Sequence, residues 1–325
     1  MSQASDSNSQ SKAIAEKIKA KYDAVLSGLD QDTQRHYAQR MYRQTGDTNY
    51  IAPIRVQFKL ELRQLQNDLD SINDDKYLEK RIEYLLEDFN RDGRKGKARY
   101  WLFKRSGSMI FDLNLLYIAN NLHDAGIETS PNNKVYQRTL EHLKNIAFEK
   151  FLLDEEVIEK YGAQAVNYIY YLYDLNLTDI RDDYRIAFQK FYNDKCELDR
   201  YQFRDKIYGM THFIFAASDY YQKTLNADQF DWIFDFINNN INRILDDATA
   251  DIIAEVGLCY LLADQNNHPI VALCQNSVMQ KFDEKQSMVL SPSGDNNPES
   301  GEHRNILAYM LLNWTDSLYQ GPVIF

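Results

Sequence analysis

Five stretches beyond residue 105 are apolar on every side of a helical wheel. They are 108–122 (SMIFDLNLLYIANNL), 163–175 (AQAVNYIYYLYDL), 209–221 (GMTHFIFAASDYY), 251–263 (DIIAEVGLCYLLA) and 302–314 (EHRNILAYMLLNW). Between them lie segments with one apolar stripe each: residues 135–151; Ile180, Tyr184, Ala187, Phe188 and Phe191; Phe230, Ile233, Phe234, Ile237, Ile241, Ile244 and Leu245; and Ile270, Val271, Cys274, Val278 and Phe282. A helix apolar all round must be surrounded by protein, whereas a one-striped helix keeps a side in water. Alternation of the two predicts an inner and an outer helical layer. Short connections such as 176–178 and 264–267 make neighbouring helices antiparallel. Before residue 105, helical stripes recur over 12–43, 54–70 and 76–90, the last through Ile82, Leu85, Leu86 and Phe89. The fold class expected is therefore all-α, built of helical hairpins.

Inner segments recur every ~40–55 residues, a helical-hairpin repeat length. Five or six could close a ring, with an open solenoid as the competing geometry. This alternation resembles the α/α toroids of glycoside hydrolases, polysaccharide lyases and lanthionine cyclases, and uncharacterised bacterial all-helical domains of that shape. The resemblance covers roughly residues 54–325 and lies in architecture, not motif; the Cys–His zinc pattern of the cyclases is absent. It implies a single (α/α)5–6 toroid over 12–325, with 12–53 as peripheral helices.

Composition changes this picture little. The chain has 325 residues, 44% hydrophobic and 26% charged, with ample apolar material for a core. Gly (12) and Pro (6) are scarce, which suits helices. A net charge of −11 disfavours nucleic acid as a partner, because such binding rests on Lys and Arg at phosphates. No apolar run is long enough to span a membrane. Cys196, Cys259 and Cys274 are far apart and form no disulfide framework or metal cage. The Ser-rich opening, residues 1–11, reads as a disordered tail. It resembles the tether of a mature bacterial lipoprotein with Met1 in place of the lipidated cysteine, which points to a periplasmic or tethered location over a cytoplasmic one.

Candidate chemistry gathers where the inner helices begin. In a toroid these ends crowd one mouth, and exposed backbone amides there favour anions. Asp251 and Glu255 lie four apart on one helix face, Glu302 and His303 open the last inner segment, and His212 interrupts an apolar run. These five are the expected catalytic residues. Glu255 is expected to be desolvated and raised in pKa, and Glu302 to be kept ionised in a first turn. Trp101, Arg105, Tyr208, Arg304 and Asn305 are the expected substrate contacts, and the loop Asp283–Gly301 should cover the mouth. The basic stretch 91–105 (RDGRKGKARYWLFKR) offers cations and Trp101 to an anionic sugar; its bland alternative is a solvated loop. The Tyr-rich run 168–175 (YIYYLYDL) suits a sugar tunnel or a core with satisfied hydroxyls.

The function expected is a carbohydrate-active hydrolase or lyase, needing no cofactor, with carbohydrate, anionic in one version, as partner. The alternatives are a metal-dependent hydrolase using His212, Glu255 and His303, and a non-catalytic helical-repeat binding protein.

Overall fold

The periodicity is realised as helix throughout. The computed structural model describes residues 2–89 and 93–325, and for residues 2–8 the backbone alone. Among the described residues are fifteen α-helices and one two-stranded hairpin. In chain order the helices are α1 (Ser2–Val25), α2 (Gln31–Thr45), α3 (Ile51–Asp70), α4 (Asp75–Glu87), α5 (Arg94–Arg105), α6 (Met109–Asp124), α7 (Asn133–Leu143), α8 (Phe148–Leu152), α9 (Glu155–Asp174), α10 (Arg181–Asn193), α11 (Arg200–Ala217), α12 (Asp231–Asp247), α13 (Ala250–Leu262), α14 (Pro269–Met279) and α15 (Pro298–Leu312). Strands β1 (Phe282–Asp283) and β2 (Met288–Val289) pair antiparallel before α15.

The chain divides into two compact units. One holds residues 1–57 and 213–322; the other holds residues 58–212 and 323–325. In the first, α13 packs between α14 and α15, and α15 also packs along α1 and α2. Every residue of α13 except Asp251 is buried, and α15 is buried from Asn305 to Leu312. By contrast α12 and α14 each bury one face. In the second unit, α6 is buried almost throughout and packs on α7, α9 and α4, while α7 and α10 bury one stripe each. The two kinds of helix are thus present, and the burial of each follows from its apolar pattern.

The first two helices are not peripheral. Ile18, Tyr22, Tyr37 and Met41 are essentially without solvent exposure. Tyr22 stacks on Tyr37 with ring centroids 5.6 Å apart, and the Tyr22 hydroxyl donates to the carbonyl of Pro298 at the start of α15 (3.2 Å). Tyr37 and Tyr50 both donate to Asp23 (3.0 and 2.9 Å). The sequence pattern of 12–43 looks weak because α2 buries polar residues: Arg35, Gln39, Arg43 and Gln44. The expected tail falls largely on residues outside those described with side chains, but α1 is already helical from Ser2 and Ser11 is buried.

Two other expectations are corrected. The basic stretch is not a loop: from Arg94 to Arg105 it forms α5, while Arg91 and Asp92 lie outside the described residues. The segment 283–301 is not a long loop either. A tight hairpin consumes its first part, and Asn297 caps α15 by accepting from the amide of Glu299 (2.8 Å) with Pro298 in the first turn. In the Tyr-rich run, Tyr168 packs ring on ring with Tyr171 and with Tyr161, which precedes the run in the second unit, whereas exposed Tyr173 lies under the guanidinium of Arg181.

Candidate functional site

The first unit brings four ionisable side chains into one row. His36 comes from α2, Glu255 from α13, and Glu302 and His303 from α15. Consecutive residues on a helix point about 100° apart, so Glu302 meets α2 while His303 meets Glu255 of α13. The approach of α13 to α15 is set by Gly257, two residues from Glu255. A Cβ there would stand 2.6 Å from Cδ1 of Leu311 and 3.0 Å from Cβ of Cys274. Gly301, beside Glu302, lets β2 come close to α15, since a Cβ there would stand 2.8 Å from Cε of Met288.

Nδ1 of His36 lies 2.6 Å from Oε2 of Glu302, and Nε2 of His303 lies 3.5 Å from Oε1 of Glu255. The two imidazole rings are 5.5 Å apart, tilted by 49°. The carboxylates are inside and the imidazoles face out: Glu255 and Glu302 side chains are 1% and 5% exposed, His36 and His303 22% and 38%. Neither contact is aligned as a hydrogen bond. His36 Nδ1, His303 Nε2, Glu302 Oε1 and Arg40 Nε are all buried atoms without a hydrogen-bond partner. Arg40, one turn after His36, donates to the His36 carbonyl (3.3 Å) and lies over the ring of Tyr221 (5.7 Å).

Electrostatics separate these groups. Burial pushes the Glu302 carboxyl up to about 7, against the pull of the Arg40 and His303 charges. Burial, with the Arg40, His303 and Arg35 charges, holds His36 well below the ordinary imidazole value. Burial also works to lower His303, but the Glu255 carboxylate, helped by Asp251, outweighs it and raises this imidazole. The two rings are thereby driven in opposite directions. The surroundings favour the neutral ring at His36 and the protonated ring at His303.

Of the expected catalytic residues, Glu255, Glu302 and His303 meet in this row, and Asp251 acts on His303 through its charge. Glu302 is not a first-turn residue held ionised by the helix end, because α15 begins four residues earlier, at Pro298, and burial decides its protonation. His212 belongs to the second unit, where its Nδ1 lies 2.8 Å from Oδ1 of Asn167 and its ring meets Tyr208 edge-on at 4.5 Å. Arg304 Nε and Asn305 Nδ2 donate to the Val289 carbonyl (2.9 and 3.0 Å), and the Val289 amide donates to Asn305 Oδ1 (2.7 Å), which fastens the hairpin to α15. In the second unit Arg105 pairs with Glu156, Tyr208 lies under Lys95 (5.5 Å), and Trp101 is 57% exposed with Lys104 above it (5.1 Å). Among the described residues no group of three or more His, Cys, Asp or Glu is gathered as metal ligands. The row carries a guanidinium in its midst, which opposes a dication there.

His36 and Arg40 were missed by sequence reasoning. Their signal was a helix in an acidic chain carrying Arg35, His36, Arg40 and Arg43 with Asp32 as its sole acid. Such a helix is basic on a face that must pack, and it therefore seeks buried carboxylates.

The family described as a domain of unknown function, DUF3541, matches residues 11–325. No curated protein and no solved structure matches the chain.

Proposed function

We propose that this chain, which belongs to the DUF3541 family, is an acid–base enzyme, a carbohydrate-active hydrolase or lyase reacting at the His36–His303 pair. One observation supports this above the others: two imidazoles 5.5 Å apart whose pKa values are pushed in opposite directions. Groups separated in that way divide the labour of proton transfer. Neutral His36 takes a proton from water or from a carbon-bound hydrogen of the substrate, and Glu302, at about 7, shares that proton load from behind. Protonated His303, supported by Glu255, gives its proton to the leaving oxygen. No metal or other group is required for this division. A closed ring of inner helices remains the arrangement proposed for the chain, on the strength of the alternating burial patterns in each unit.

A panel of glycans incubated with the protein tests this reading. His36→Gln and His303→Gln should each fold normally and lose turnover by about 100-fold or more, the scale of a positioned acid or base. Full turnover in both variants, or no glycan cleaved by the wild type, replaces the enzyme reading with that of a binding protein.

A further inference from the structure

A cavity of about 440 Å³ opens in the second unit, where α7 passes into α8 and α9 ends. It shares no residue with the row of His36, Glu255, Glu302 and His303. Two chain reversals shape it. Ala147, between α7 and α8, has φ −82° and ψ 60°, and the Phe148 amide donates to the Ile146 carbonyl (2.9 Å), so the chain turns sharply into α8. After α9, Asn176 takes the left-handed conformation (φ 53°), and the amides of Leu177 and Thr178 return to the Leu172 carbonyl (2.9 and 3.4 Å). Backbone hydrogen bonds thus hold both walls, and the cavity stands open without a ligand. Its volume falls in the range of small-molecule pockets, about 300–1,000 Å³.

The lining has two chemistries. Leu143, Phe148 and Leu172 are buried, whereas Ile146, Leu153 and Leu177 are half-buried and give part of their apolar surface to water. Beside them Lys144 and Lys150 line the same cavity and are exposed. Among the described residues neither ammonium has an ion-pair or hydrogen-bond partner, in a chain whose net charge is −11. The one acid of the lining is Glu149, so the cavity carries a net positive charge. Thr178 adds a hydroxyl that can donate. We propose that this cavity binds a small amphipathic carboxylate, its aliphatic chain against Leu143, Phe148, Leu172 and Leu177 and its head on Lys144 and Lys150. The apolar walls call for a hydrocarbon body, since covering them removes apolar surface from water. The unpaired lysines call for an anionic head, because an ammonium donates and never accepts. An amine would meet both lysines as like charges, and a short polar anion would leave the walls wet. The site is independent of the acid–base reading and stands or falls without it.

Calorimetric titration of the full chain with sodium octanoate tests the site, with sodium acetate as the head alone and octylammonium chloride as the chain with the opposite charge. Octanoate should bind once per chain and more tightly than either control. Lys144→Gln combined with Lys150→Gln should weaken octanoate about ten-fold, the scale of a hydrogen bond to a charged group. The melting temperature of that variant should stay nearly unchanged, because both side chains are exposed. Ala147→Phe adds a ring at an exposed residue of the lining and should abolish binding by filling the cavity. If that variant fails to fold, the lysine pair decides alone. No octanoate bound, octylammonium bound as tightly as octanoate, or octanoate bound equally by wild type and the lysine variant overturns the site. Undiminished binding by folded Ala147→Phe overturns it as well, by placing the octanoate elsewhere.

Discussion

At Glu302 burial sets the titration of a carboxylate within the range in which the protein can be studied. Its folded-state pKa is raised from 4.5 to about 7, so the folded chain binds a proton that the unfolded chain has released between those values. Its contribution to stability is complete below pH 4.5 and is lost as pH rises towards 7, by about 3 kcal/mol in total. His36 acts with the opposite sign, since a lowered imidazole costs stability as pH falls below its ordinary value. Urea unfolding of wild type and Glu302→Gln at pH 5 and pH 8 separates the two. The wild type should lose more stability than the variant on going to pH 8, and equal losses would show that Glu302 titrates normally. Glu255, Glu302 and His303 were legible as polar residues on apolar helices. The opposite fates of His36 and His303 were not, because they depend on distances between α2, α13 and α15 that no local pattern encodes.

At the scale of elements, the site depends on how closely α13 and α15 pass. Gly257→Ala places a methyl 2.6 Å from Cδ1 of Leu311 and 3.0 Å from Cβ of Cys274, so the Leu311 side chain or the helices must shift. Overpacking of this kind costs about 1–3 kcal/mol, and thermal melting should show that loss. Turnover should fall beyond what the lost stability explains, because Glu255 and His303 ride on the two helices. Unchanged stability would mean that Leu311 yields freely. The helix α5 makes the contrary case. Its cations sit at the surface, so Arg94→Gln, Lys95→Gln and Lys97→Gln combined should change unfolding free energy by no more than about 1 kcal/mol. A larger loss would make those charges structural. Alternation of fully and partly buried helices was readable because periodicity reports burial directly. The start of α15 and the hairpin before it were misread as loop, since Ser, Pro, Gly and Asn serve caps and tight turns as readily as open chain.

For the whole molecule, the unit that holds the site is assembled from both ends of the chain, residues 1–57 and 213–322. Removing residues 1–45 would take away α1 and α2, with the buried Tyr22, Tyr37 and Met41, and expose the faces of α15 on which they pack. Such a truncation should yield insoluble protein or lose a cooperative transition by calorimetry; a soluble, cooperatively folding product would restore the view of these helices as peripheral. The sequence hid this because α2 packs through arginine, glutamine and tyrosine rather than an aliphatic stripe, so its burial has no hydrophobic signature. The acid–base division of labour proposed for His36 and His303 can be tested without any substrate, by NMR titration of the imidazole resonances. With each ring assigned from the His36→Gln and His303→Gln variants, His303 should titrate above the ordinary imidazole value of 6.5 and His36 well below it. Two rings titrating together near 6.5, or in the reverse order, would contradict the acid–base pair.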